Sequence, residues 1–165
     1  MIKPVKSAMG SNGSDGAVTI DSVADILERE LPNLIDEWLA RVEQEPDLTS
    51  IPLSFEERTG HLPYLLHDVI KRLRMDAGTK APISKAAADH GDLRRKQGYT
   101  VAMAVEESRL LQVSIFTTLH RNVSHLEFSA LLPDVVTIAD EVDAQLKEQM
   151  LCFMAADAAE KAKAK

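Results

Sequence analysis

The chain has 165 residues, of which 45% are hydrophobic and 4% aromatic, and its formal net charge is −7. This length and hydrophobic content indicate one globular domain with its own core and exclude a disordered chain. The acidic balance argues against binding to nucleic acid, and no apolar run approaches the ~20 residues of a membrane-spanning helix. A single cysteine, Cys152, excludes an internal disulfide and is typical of a protein in the reducing cytoplasm.

The chain is expected to divide into three parts. Residues 1–18 are rich in glycine and serine towards their end, which predicts a flexible tail. Residues 19–155 carry the helical bundle. Residues 156–165, rich in alanine and lysine, are expected to extend the last helix or to form a linker.

Five segments have apolar residues at the three-to-four-residue spacing of amphipathic helices, and strand-like alternation is absent from the sequence. The predicted helices cover 21–44, 55–75, 82–97, 100–122 and 124 to about 160. Two capping boxes, Ser54 with Glu57 and Ser124 with Glu127, mark the starts of the second and fifth helices. Proline suits a first helical turn, as at Pro82, and glycine suits a left-handed position after a helix, as at Gly98. The prediction is an all-α, single-domain bundle of about five helices with short connections.

The inward faces of three helices can be read from the same spacing. The first helix contributes Val23, Leu27, Leu31, Leu34, Trp38 and Val42. The second contributes Leu62, Leu65, Leu66, Val69 and Leu73. The fourth contributes Val101, Val105, Leu111, Ile115, Phe116 and Leu119.

A Leu-Pro pentad recurs at 31–35, 62–66 and 132–136, each within a predicted helix. Proline at such a place is expected to kink the helix or to restart it. Two interpretations stay open: the kinks shape a shared internal space, or the repeat is a coincidence in a leucine-rich chain.

The fifth predicted helix, about 50 Å long at ~1.5 Å per residue, exceeds the other four. Its apolar segment 150–154 would lie past the edge of the bundle and favours association with another chain or domain. The alternative is that this helix bends back and covers the bundle.

The third predicted helix has an unusual face, since His90, Arg94 and Gln97 lie at positions i, i+4 and i+7. We expect it to bury Ile83, Ala86, Ala87, His90, Leu93 and Arg94, and to expose Lys85, Asp92 and Lys96. A buried guanidinium needs an acidic partner, which the fourth helix offers at Glu106 and Glu107. This predicts a His90–Arg94–Glu107 network, with Gly91 allowing close approach of another backbone or a ligand. The network is either a ligand site or a structural connection between two helices.

Other chemistry has little support in the sequence. The five histidines do not form the Glu-x-x-His pairs of a di-iron bundle, and no cysteine–histidine cluster suits zinc, so no metal site is expected. The sequence lacks the motifs of nucleophilic catalysis and of glycine-rich phosphate-binding loops, so we do not expect this chain to be an enzyme. No cofactor is predicted, although haem held by one histidine such as His90 stays open because one axial ligand leaves little sequence signal.

The segment 87–99, followed by 105–111, resembles the RsbRD-type N-terminal domain, a helical sensor module of bacterial stress signalling. Three further segments are also similar to this family, namely Ile26-Leu27, 31–38 and His61-Leu62-Pro63. The resemblance covers roughly residues 22–150. The chain departs from the pattern at Ser108 and Gln112, where an aromatic residue and an arginine are expected. The positions that match are His90, Gly91, Arg94, Gln97, Gly98, Glu107 and Arg109.

The resemblance implies an input domain that precedes a kinase, PAS or STAS output domain. We therefore expect a non-catalytic sensory or regulatory domain of a histidine kinase or stress regulator, which forms a homodimer. Ligand or partner binding near His90 would be relayed through the last helix. Three alternatives stay open: a phosphotransfer bundle with His90 as phosphoacceptor, a haem or cofactor sensor, and a structural adaptor that only dimerises.

Overall fold

A computed structural model of the chain describes residues 20–76 and 78–163; the predicted tail 1–18 lies outside them. Within these residues the helices are α1 Val23–Arg29, α2 Leu31–Val42, α3 Pro46–Thr49, α4 Phe55–Thr59, α5 Leu62–Leu73, α6 Lys85–Lys96, α7 Val101–Arg121 and α8 Phe128–Lys163. A short 3₁₀ helix, Val123–His125, precedes α8. The β-type pairing in the described residues is one isolated bridge between Asp21 and Leu126. The predicted all-α fold with a long C-terminal helix is confirmed.

Prolines divide two of the predicted helices. The predicted helix 21–44 breaks at Glu30, and Pro32 lies in the first turn of α2. The predicted helix 55–75 breaks before α5, where Pro63 occupies the first turn. A proline is tolerated there because the first N–H groups of a helix have no intrahelical partner. Pro133 behaves differently, since it lies inside α8 and the helix neither ends nor restarts there.

Serine and threonine caps set several helix starts. Ser54 and Glu57 form the predicted capping box of α4, with both reciprocal hydrogen bonds present. Helix α6 begins at Lys85 with Ser84 as its cap, so the predicted start at Pro82 was wrong. The second predicted capping box was also wrong, because Ser124 lies in the 3₁₀ helix and α8 begins only at Phe128.

Replacing Ser54 with alanine is expected to lower the free energy of unfolding by about 1 kcal/mol, because it leaves helix N–H groups without their acceptor. Urea denaturation followed by circular dichroism measures this loss. Ser124→Ala is the matched control and is expected to change the free energy by less than about 0.5 kcal/mol. Equal losses in the two variants would contradict the assigned helix starts.

The core lies where α1, α2, α5, α7 and α8 meet. Most of the predicted inward positions of the first two segments are buried, with Trp38 of α2 among the largest. On α7 the prediction failed at Val101 and Val105, which are exposed, whereas Ala104 and Leu110 are buried. Ile83, which precedes α6, and Leu93 on α6 are exposed too, and the buried stripe of α6 consists of Ala87, His90, Gly91 and Arg94.

Helix α8 packs against α5, α6 and α7, and its contact with α6 is the most extensive between any two described elements. In the apolar segment 150–154, Phe153 is buried and Met150 packs on the core, whereas Leu151 and Met154 are exposed, so only one side of the segment is covered by the bundle. Helix α8 covers part of the bundle, as the alternative expected, but as one continuous helix and not by bending back. An ion pair of 2.6 Å between Arg95 and Glu160 continues the contact towards the end of α8. Among the described helices, none has the length and apolarity needed to cross a membrane.

Candidate functional site

A buried ion pair joins α6 to α7. Arg94 has 0% of its surface exposed, and its guanidinium binds both carboxylate oxygens of Glu107. The Nε–Oε2 distance is 2.9 Å and the Nη2–Oε1 distance is 2.7 Å. The two side chains meet because Gly98, at a φ of +88°, reverses the chain between the helices. This bidentate geometry is the strongest that arginine and carboxylate form.

The remaining donors of Arg94 reach the turn around α4 and the end of α6. Nη1 donates to the backbone oxygen of Glu57 (3.0 Å) and to the side-chain oxygen of Gln97 (2.7 Å). Nη2 donates to the backbone oxygen of Arg58 (2.8 Å). All five N–H groups of the guanidinium are therefore used, as a buried arginine requires. One side chain thus holds α4, α6 and α7 together.

Glu107 accepts two further hydrogen bonds, from the Tyr99 hydroxyl and from Nε2 of His90, each at 3.2 Å. Burial alone would raise the pKa of Glu107, but the hydrogen bond from His90 and the charge of Arg94 outweigh it and hold that pKa below its usual range. Burial and the Glu107 charge together raise the pKa of Tyr99 to about 12. At neutral pH the cluster therefore contains an ionised carboxylate, a guanidinium and a neutral phenol.

Two imidazole rings stack beside this carboxylate. The ring centroids of His61 and His90 are 3.7 Å apart at an interplanar angle of 16°, and Trp38 meets His61 edge to face at 6.2 Å. Burial, with the neighbouring His90 and Arg94, lowers the pKa of His61 well below its usual value. The pKa of His90 is also lowered, mainly by burial. Both rings are therefore neutral at pH 7.

Three of the four ring nitrogens are buried without a hydrogen-bond partner among the described residues: both nitrogens of His61, and Nδ1 of His90. Because Nε2 of His90 donates to a carboxylate, its Nδ1 is left as a bare acceptor. Buried polar atoms are paired in most proteins, so three unpaired atoms in one place call for an explanation.

The stacked histidines lie at the floor of a cleft of about 800 Å³ between the α4–α5 turn and α6. This volume lies within the range of small-molecule pockets. Besides the two histidines, the cleft is lined by Glu56, Glu57, Gly60, Tyr64, Lys85, Ala86, Asp89, Leu93 and Gln97. A separate void of about 10 Å³, roughly the space of one water molecule, separates the histidines from Gln145 and Gln149 of α8.

Gly91 brings α6 against the backbone of α8. A Cβ atom at this position would lie 2.3 Å from the backbone oxygen of Gln149. The close approach anticipated at Gly91 is therefore to another helix. Gly91, which contacts α8, directly follows His90, which lies at the floor of the cleft.

The structure brings together most of the predicted site residues, but not all. His90, Gly91, Arg94, Gln97 and Glu107 share one cluster. Arg109 is exposed on α7, pairs with Glu106 instead, and does not reach the cluster. His61 belongs to the cluster and was not among the predicted site residues. The signals available for it were its position just before a Leu-Pro helix start and its place in the His61-Leu62-Pro63 piece of the resemblance.

The phosphoacceptor alternative meets a steric obstacle. His90 is 4% exposed, its Nε2 is bonded to Glu107 and its Nδ1 is buried. Neither nitrogen is accessible to a phosphodonor in this conformation.

Comparisons with models of protein families, with curated proteins and with solved structures find no significant match to this chain. The RsbRD-type resemblance therefore stays a prediction from the sequence, and any function must be argued from the site itself.

Proposed function

We propose that this chain is a non-catalytic sensory domain that binds a small molecule in the cleft above His61 and His90 and relays its presence through α8. The observation that carries the proposal is the position of Gly91. It connects the floor of the cleft, at His90, to the backbone of α8 at Gln149.

The cleft suits a compact ligand with an apolar body and a hydrogen-bonding group. Its inner wall consists of ring and aliphatic surface from Tyr64, Ala86 and Leu93, with the amide of Gln97 at one end. Such pockets take most of their affinity from apolar burial and their orientation from a few polar groups. The carboxylates of Glu56, Glu57 and Asp89 outnumber the one lysine at the cleft, Lys85, which pairs with Asp89, and this balance disfavours an anionic ligand.

The relay follows from how α6 is held. Arg94 fixes α6 to α7 and to the α4 turn, so a ligand that pushes α6 away from α4 strains the ion-pair network. Because α6 is packed without space against α8 at Gly91, a displacement of α6 also displaces α8. A ligand shifts such an equilibrium only through its different affinity for the two arrangements.

In its biological setting we propose a cytoplasmic input domain of a bacterial stress or two-component protein, acting on a kinase, PAS or STAS output domain. Support for this setting comes from the RsbRD-type resemblance alone. Support for a homodimer comes from the exposed apolar side chains Phe128, Leu132 and Val136, which are spaced at four residues on α8.

The cleft is tested by blocking it. A fragment library is screened against the metal-free chain by saturation-transfer NMR, and the strongest hits are retested on Ala86→Trp, which fills the cleft. We expect the affinities of the hits to fall at least tenfold in this variant. They are expected to stay unchanged in the control Ala144→Trp, because Ala144 is exposed on α8.

The relay is tested on the same hits by amide hydrogen exchange. A saturating hit is expected to change exchange in α8 around Gln149 as well as in α6. Hits that bind Ala86→Trp as well as the original chain would disprove the cleft as the site. Bound hits that leave α8 unaltered would disprove the relay.

A further inference from the structure

We propose that His61, His90 and Glu107, which line one small void beside α8, bind one divalent first-row transition-metal ion. The inference goes beyond the proposed sensory function, which needs no metal. It could not come from sequence spacing, because the three side chains stand on α5, α6 and α7 or at their ends, and only the fold brings them together.

The donor atoms converge. One ligand atom from each of the three side chains lies within 4.8 Å of the other two. Nε2 of His90 and Oε2 of Glu107 are 3.2 Å apart. Two ligands of one ion at ~2.1 Å, at angles between a right angle and a tetrahedral one, are separated by ~3.0–3.4 Å. The His90 and Glu107 atoms are therefore already spaced for one ion, and His61 offers a nitrogen within the 4.8 Å spread of the cluster, provided that its ring leaves the stack on His90.

The donor types are those that bind a transition metal. In the described tautomer Nε2 of His90 carries the proton of its hydrogen bond to Glu107, so this proton moves to Nδ1 when an ion takes its place. Both nitrogens of His61 lack a partner in the described structure. An ion would give one of them the partner that a buried imidazole otherwise lacks.

The surroundings resemble the outer shell of a metal site. When Oε2 of Glu107 exchanges its hydrogen bond with His90 for the ion, the carboxylate stays oriented by Arg94 and by the Tyr99 hydroxyl. Such partners fix a metal-bound carboxylate and tune its basicity. The Arg94 charge also opposes a second cation, so we expect weaker binding than at structural zinc sites.

The donor set selects the class of metal. Two histidines and one carboxylate with open positions suit catalytic-type Zn²⁺ and non-haem Fe²⁺ sites. Mg²⁺ and Ca²⁺ prefer oxygen ligands and are not expected to bind here. Zn²⁺ and Fe²⁺ share this ligand chemistry, and the experiment separates them.

The test begins with the full chain freed of metal by a chelator. It is titrated with Zn²⁺, with Fe²⁺ under anaerobic conditions and with Mg²⁺ by calorimetry, and with Co²⁺ by visible absorption. We expect one transition-metal ion per chain, no saturable Mg²⁺ binding, and Co²⁺ bands of nitrogen–oxygen coordination. The ratio of the Zn²⁺ and Fe²⁺ affinities identifies the preferred ion.

Variants then locate the ion. His61→Phe and His90→Phe retain a planar ring for stacking but lose the nitrogens, and each is expected to weaken binding at least tenfold. His67→Ala is the control, since His67 is exposed on α5, the helix that follows His61, and this variant is expected to bind the ion as the original chain does. Circular dichroism checks that each variant folds.

Should a phenylalanine variant not fold, paramagnetically shifted ring protons of two histidines in the Co²⁺-loaded original chain give the same answer. The absence of saturable transition-metal binding would overturn the proposal, as would binding that survives in both phenylalanine variants or shifted signals from other histidines. Because the fragment screen is run on metal-free protein, failure here leaves the sensory proposal standing, and the reverse also holds.

Discussion

Replacing Glu107 with leucine is expected to lower the free energy of unfolding by about 3–5 kcal/mol, the usual loss when one partner of a buried ion pair is removed. Arg94 would keep its hydrogen bonds to Glu57, Arg58 and Gln97, but its charge would stay buried without a counter-charge. Urea denaturation measures the loss. The single tryptophan, Trp38, provides a local fluorescence signal because its Nε1 donates to the backbone oxygen of Glu107.

The double variant Arg94→Met with Glu107→Leu separates charge burial from packing. Removing both charges abolishes the unpaired guanidinium, so we expect the double variant to recover most of the stability lost in Glu107→Leu. The neighbouring exposed pair of Glu106 and Arg109 is the control, and its removal should have little effect. A double variant at least as unstable as the sum of the single ones would show that the two side chains act through packing instead.

The Arg94–Glu107 contact could be predicted from the sequence because two local features point to it. The helical spacing puts Arg94 on the same stripe as His90, and Gly98 ends that helix with a reversal. A buried guanidinium then restricts its partner to the few acidic residues early in the next helix. The spacing of polar residues thus carries as much information here as the spacing of apolar ones.

His61 could not be found in this way. It lies 29 positions before His90, and the stacking depends on how the α4–α5 turn sits over α6. No period within one helix encodes that placement. The two Leu-Pro restarts indicate where α2 and α5 begin, but they do not determine the direction in which each helix leaves its turn.

The burial errors have a similar origin. Val101 and Val105 were assigned to the same inward face as Leu111, which is buried, and the burial of the first two turns depends on which side of α7 faces α2. The segment 150–154 was expected to lie beyond the bundle because its helix is long. The contact of α8 with α6 covers part of that length, and helix length alone does not predict such a contact.

Gly91→Ala is expected to be destabilising, although glycine-to-alanine changes inside a helix normally stabilise it by up to ~1 kcal/mol. The added Cβ would lie 2.3 Å from the backbone oxygen of Gln149 and 2.8 Å from its Cα, and backbone atoms cannot rotate away as a side chain can. Helix α8 must move, and overpacking of this kind costs about 1–3 kcal/mol. The net effect on the free energy of unfolding is therefore opposite in sign to that of helix propensity.

Gly98→Ala gives the contrast. Its φ of +88° strains any L-residue by roughly 1–2 kcal/mol, yet a Cβ there has no atom within 4 Å. Both variants should unfold at lower urea concentrations, but only Gly91→Ala should speed amide exchange in α8 around Gln149, because only there does the new atom separate two helices. If Gly91→Ala left α8 exchange unchanged, the close α6–α8 contact would be wrong, and with it the route by which cleft occupancy reaches α8.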